Sequence, residues 1–236
     1  SSSDGKYFFC SFDKKDNNRI VELIELGISF IFLITVPATV GVVLLSNDLV
    51  KIAFERGAFT AQNTIITAGA LTFYSIGLIA NGMRHLISKV YYSFKDTKTP
   101  MINGMIGVGI NIILNILLVG PMAHKGLALA TAISISVATL WMTYKLKDKI
   151  PEINFKIIGI EFIKVGISSL AMGAVVFLSN TSLMKLGLSP IIRLGLVVGL
   201  AVVVYTLMVI VVRTQSADMV ISTFKKKFGK EKEINE

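Results

Sequence analysis

Apolar residues in this chain come in long blocks rather than at the short spacings that build a water-soluble core. A bilayer core about 30 Å thick takes about 20 residues of helix to cross, and in hydrocarbon each backbone polar group must be satisfied within its own segment. Six stretches qualify: roughly Leu26 to Leu45, Thr64 to Phe94, Met101 to Gly120, Gly126 to Tyr144, Ile157 to Leu178 and Ile191 to Val212. The pattern therefore predicts an all-α integral membrane protein with six transmembrane helices. Between the first two spans, DLVKIAFERGAFT places Leu49, Ile52 and Ala53 at helical spacing beside Lys51, Glu55 and Arg56. This predicts a short interfacial helix, ended at Gly57 by a residue free to take positive φ, with Thr60 or Asn63 capping the next helix. Pro37 predicts a kink in the first span, tolerable where a neighbour or water satisfies the freed carbonyl.

Composition agrees with this class: 53% of the residues are apolar and 17% charged, against about 25% charged in soluble domains. The net charge of +9 excludes a nucleic-acid partner once its distribution is considered, because Lys and Arg flank apolar blocks instead of interleaving with aromatics on a soluble face. Basic loops stay in the cytoplasm, and the count is lopsided. One side holds seventeen Lys and Arg, among them Arg19, Lys95, Lys98, Lys149 and the basic tail, and the other holds five: Lys51, Arg56, Lys125, Lys185 and Arg193. Both termini are expected inside, with residues 1–19 a cytoplasmic segment and 213–236 a basic tail touching anionic membrane lipids. The first twenty residues carry no signal-peptide pattern, so insertion relies on the internal helices. Cys10 is the single cysteine, and neither it nor the two widely separated histidines belong to a metal-ligand pattern. No GxSxG, Walker A loop, HExxH or paired intramembrane carboxylates occur, which argues for a transporter rather than an enzyme and calls for no bound cofactor.

Polar side chains inside hydrocarbon are costly unless partnered, so each marks a cavity, a packing contact or a snorkelling end. On the second span Asn81, Arg84, Ser88 and Tyr92 fall at i, i+3, i+7 and i+11, with His85 and Lys89 flanking them. This cationic stripe reads either as side chains snorkelling to cytoplasmic headgroups or as the wall of a wet cavity that binds an anion. Arg suits a phosphate because its planar fork donates two parallel hydrogen bonds, and Lys adds a mobile point charge. The third span carries Asn103, Asn111 and Asn115 among Gly104, Gly107 and Gly109. Asn111 and Asn115 lie one turn apart. They read as interhelical packing or, with the Thr131 hydroxyl and a carbonyl near Leu127, as oxygen ligands around a small hard cation. Ala130, Ser134 and Ala138 form a small-xxx-small packing face on the fourth span.

At these residues the chain resembles a known family. The runs VPATVGVVLLSNDLVKIAFERGAFT, FYSIGLIANGMRHLISKVYYSFKDTKTP and NIILNILLVGPMAHKGLALAT are similar to the MurJ/MviN lipid II flippases, of the exporter superfamily that includes multidrug and polysaccharide transporters. The resemblance covers about Asp16 to Lys149, with the last two helices matching in hydropathy alone. Members have fourteen helices in two six-helix lobes plus an extra pair, and this chain resembles the last six. Residues 20–146 then correspond to a four-helix part of the C-terminal lobe, and 147–212 to the two additional helices. The opening SSSDGKYFFCSF lies outside the match, which implies a truncated C-terminal part without the first eight helices. The resemblance implies export of lipid II across the bacterial cytoplasmic (inner) membrane for cell-wall synthesis, with Arg84, Lys89, Asn81 and Ser88 at the substrate. Its partners would be the N-terminal lobe or other wall-synthesis proteins. It also implies a sodium site at Asn111, Asn115, the Leu127 carbonyl and Thr131, weakened because position 115 is Asn where a carboxylate is expected. A chain of six helices is expected to bind anionic headgroups weakly without flipping them. Competing readings are a flippase for another undecaprenyl-diphosphate saccharide, and an inactive membrane remnant or scaffold.

Overall fold

The computed structural model describes residues 17–185, 187 and 189–212, so Cys10 and the basic tail lie outside the described residues. Six helices follow in order: α1 (Asn17–Phe54), α2 (Ala61–Ser93), α3 (Lys98–Met122), α4 (His124–Leu146), α5 (Phe155–Met184) and α6 (Pro190–Val212). Each is long and apolar enough to cross a bilayer. The predicted spans fall within them. The short interfacial helix does not form as a separate element: residues 46–54 continue α1 without a break. Two facts explain this. Leu45 and Leu49, one turn apart, both belong to the apolar cluster with α5 and α6, so the packing face persists. Asp48 is satisfied in place, since the Arg193 guanidinium and the Asn180 amide both donate to its carboxylate, the latter at 3.1 Å. The helix ends where expected, with Gly57 at φ +57°. The Thr60 hydroxyl caps α2 by accepting from the Asn63 N–H at 3.4 Å.

Two cores hold the bundle. Near one end Val21, Ile24, Ile28 and Phe32 repeat on a helical stripe of α1 and bury against Ile87, Val90 and Tyr91 of α2, Met142 and Leu146 of α4, and Val165 of α5. At the other end Leu45 packs with Met172 and Val176 of α5 and Val197 and Ala201 of α6. Close approach of α2 to α4 depends on Gly77, where a Cβ would stand 3.0 Å from the Ala132 Cα. The expected small-residue face of α4 is there: Ala130, Ser134 and Ala138 are all buried. In lipid the helices gain little from apolar burial, because acyl chains are as apolar as leucine, so van der Waals fit and interhelical hydrogen bonds carry the association. Several of those bonds run from hydroxyls to backbone carbonyls. Thr39 donates to Ser75 O at 3.1 Å, Thr139 to Ala80 O at 3.1 Å, and Tyr91 to Met142 O at 3.1 Å.

The most instructive of these concerns Pro37, which lies inside an unbroken α1. Proline has no N–H, so the carbonyl four residues back, Leu33 O, loses its helical donor. The Tyr205 hydroxyl of α6 supplies one at 2.7 Å. The proline thus creates an acceptor on α1 that only another helix can fill, and this fastens α6 to α1. Tyr205→Phe is expected to lower stability by about 1 kcal/mol, the net worth of such a bond, measured by thermal unfolding in detergent. In a Pro37→Ala background, where the substituted residue restores the helical N–H, the same change should cost much less. Equal costs in both backgrounds would contradict the pairing.

Candidate functional site

α3 leans on α4 and α4 on α2, but α2 and α3 scarcely touch each other. A cleft therefore opens between α2 and α3 near the loop that joins them. The buried face of α2 at this level is Ile87, Val90 and Tyr91, and the polar stripe occupies the adjoining face, toward α3. Arg84, His85, Ser88, Lys89 and Tyr92 of α2 line a cavity of about 310 Å³, closed on the far side by Pro100, Asn103 and Gly104 of α3. Asn81 stands just behind them. Its carbonyl oxygen accepts from Arg84 Nη2 at 3.3 Å, which leaves the rest of the guanidinium fork available to the cavity.

The mouth of the cleft is held by one carboxylate. Asp96 accepts from the Thr99 N–H at 3.0 Å and from the Thr99 hydroxyl at 2.9 Å, securing the first turn of α3, and pairs with Lys149 of the α4–α5 loop at 3.3 Å. The hydrogen bonds from Thr99, aided by Lys149, hold its carboxyl below the usual carboxylate range. Because the folded-state pKa is depressed, this stabilisation is complete above the unfolded value of about 4. It is lost only as pH falls through the lower, folded value. The turn itself is tight, with Lys95 at φ +59°.

The second group of predicted residues also meets. Asn115 Nδ2 donates to Asn111 Oδ1 at 3.0 Å, and Asn111 Nδ2 donates to the Thr131 and Ser134 hydroxyls, each at 3.3 Å. Thr131 in turn donates to Leu127 O at 2.9 Å. Asn111 thus turns its Nδ2 donor toward α4. Among the described residues Asn115 Oδ1 is the member of this cluster left without a partner.

Of the cavity lining, the α2 residues were visible in sequence as a stripe, but the α3 wall was not. Asn103 sits eight residues before Asn111, roughly 80° around the helix and about 12 Å along it. That offset separates it from the Asn111–Asn115 pair and places it in the cleft instead.

Comparison with known proteins agrees with this arrangement. The family model described as lipid II flippase MurJ matches residues 9–197, extending through α5, where the resemblance rested on hydropathy alone. The lipid II flippase MurJ of Thermosipho africanus is 35% identical over 146 residues, 62% of this chain and 29% of its own length. A probable lipid II flippase MurJ of Rhizobium tropici is 38% identical over 108 residues, 46% of this chain and 20% of its own length. A solved lipid II flippase MurJ in an inward closed conformation superposes with a TM-score of 0.67 at 25% identity, over 94% of this chain and 45% of that one. The chain thus spans well under two thirds of the relatives it matches. It is a multi-pass inner-membrane protein, and the match over most of its length, together with the shared helical arrangement, places it in the lipid II flippase MurJ family.

Proposed function

We propose that these six helices act as the C-terminal part of a lipid II flippase, holding the diphosphate of the lipid-linked peptidoglycan precursor while its headgroup crosses the membrane by alternating access. The observation that carries this reading is the α2–α3 cavity, where Arg84 and Lys89 stand on one wall with the Ser88 and Tyr92 hydroxyls beside them. Two cations and two hydroxyls around one space match the oxygens of a diphosphate. The names of the relatives support the substrate class.

The bias of Lys and Arg supports an orientation with both termini in the cytoplasm, which puts the cavity mouth, beside Asp96 and Lys149, on the cytoplasmic side. A headgroup would then be captured where it is made. The six helices correspond to 45% of the solved relative's chain, so we take translocation to need a second group of helices facing them; the six alone bind without flipping. Another undecaprenyl-diphosphate saccharide would meet the same cations. Growth rescue after depletion of a native lipid II flippase, by a full-length family member carrying these helices, separates the two.

Arg84→Ala in that full-length setting is expected to abolish rescue while membrane levels stay normal. A fully active variant would return Arg84 to a snorkelling role. For the Asn111–Asn115 cluster we infer a packing latch with little affinity for sodium. Exchanging sodium for potassium at equal ionic strength should move the melting temperature of the purified chain by less than about 1 °C, because a ligand stabilises only what it binds. A sodium-specific rise of several degrees would establish a cation site there.

A further inference from the structure

The cavity contains one acceptor that phosphoryl oxygens cannot satisfy. Asn103 is 1% exposed, and it is the buried residue of α3, a helix otherwise turned largely outward. Its side chain lines the cavity, and among the described residues its carbonyl oxygen has no hydrogen-bond donor. A buried amide oxygen without a partner costs free energy. The other polar groups of the cavity, Arg84, Lys89, Ser88 and Tyr92, can all donate. Phosphoryl oxygens satisfy such donors but bring no N–H or O–H of their own for Asn103.

We propose that Asn103 is a specificity-determining residue of the cavity, accepting a hydrogen bond from an N–H or O–H of a sugar attached to the diphosphate, so that the site prefers a glycosyl diphosphate over a bare lipid diphosphate. This rests on the reading of the cavity as a diphosphate site. The geometry suits it, because Asn103 and the Arg84–Lys89 pair face each other across a space of about 310 Å³. That is ample for a diphosphate and the near edge of one hexose. A donor on that sugar reaches the amide with no more than a rotation about χ2 and without breaking another protein hydrogen bond. The occupied site then satisfies an acceptor that the empty one leaves unpaired, and that difference is the source of the preference.

The test is binding of two probes to the 236-residue chain in lipid nanodiscs, read by native mass spectrometry: undecaprenyl diphosphate, and undecaprenyl diphosphate bearing one N-acetylhexosamine. The wild-type chain is expected to favour the sugar-bearing probe about five-fold, the worth of one hydrogen bond. Asn103→Leu, close in shape but without the amide, should bring that ratio to about one. Asn103→Gln, which retains an amide at a displaced position, should give an intermediate ratio and guards against a folding defect in the leucine variant. A wild-type chain that binds both probes equally overturns the proposal, as does an Asn103→Leu variant that keeps the preference. Arg84→Ala is the separate control: if it leaves both affinities unchanged, the diphosphate reading itself fails, and this inference with it.

Discussion

In hydrocarbon a freed carbonyl or a side-chain amide has no water to turn to, and that constraint organises the whole bundle. Pro37 strips one donor from α1, and Tyr205 of α6 replaces it. Thr39, Thr139 and Tyr91 likewise send hydroxyls across helix interfaces to carbonyls of α2 and α4. These bonds hold their helices in register where apolar burial offers little discrimination between one packing and another. With α2 tied to α1 on one side and to α4 on the other, its cationic face is left to open toward α3.

The cleft follows from that arrangement. α3 is held at the loop end by Asp96 and midway by the Asn111–Thr131 latch, so it stands off from α2 between two fixed points. Side chains that would be prohibitive facing lipid, an arginine and a lysine within one helical span, become tolerable because a cavity receives them. In the proposed reading the same cations draw an anion into the cavity, because each can make a charge-assisted bond to an entering phosphate.

Much of this was legible in the chain itself. Continuous apolar blocks located all six helices, because the bilayer's thickness fixes how much apolar helix a span needs. The stripe from Asn81 to Tyr92 was readable because side-chain spacing on a helix is geometric. Two things were not. Continuity of α1 through Asp48 depended on Arg193, distant in sequence, neutralising that carboxylate, and no local pattern announces such a partner. The hydrogen-bond sense of Asn111 was equally hidden, since an amide offers donor and acceptor alike and only its neighbours decide which faces where.

Binding of an anionic headgroup by the cationic stripe requires a wet crevice between α2 and α3. The direct measurement replaces Cys10 with serine, introduces single cysteines at positions 85, 88 and 92, and labels them in membranes with a small charged thiol reagent. Positions 163 and 170, exposed on α5, serve as lipid-facing controls. The account predicts rapid labelling at the three α2 positions, slowed by added undecaprenyl diphosphate, and negligible labelling at the controls. Equal protection at all five positions would place the cationic stripe against acyl chains and contradict it.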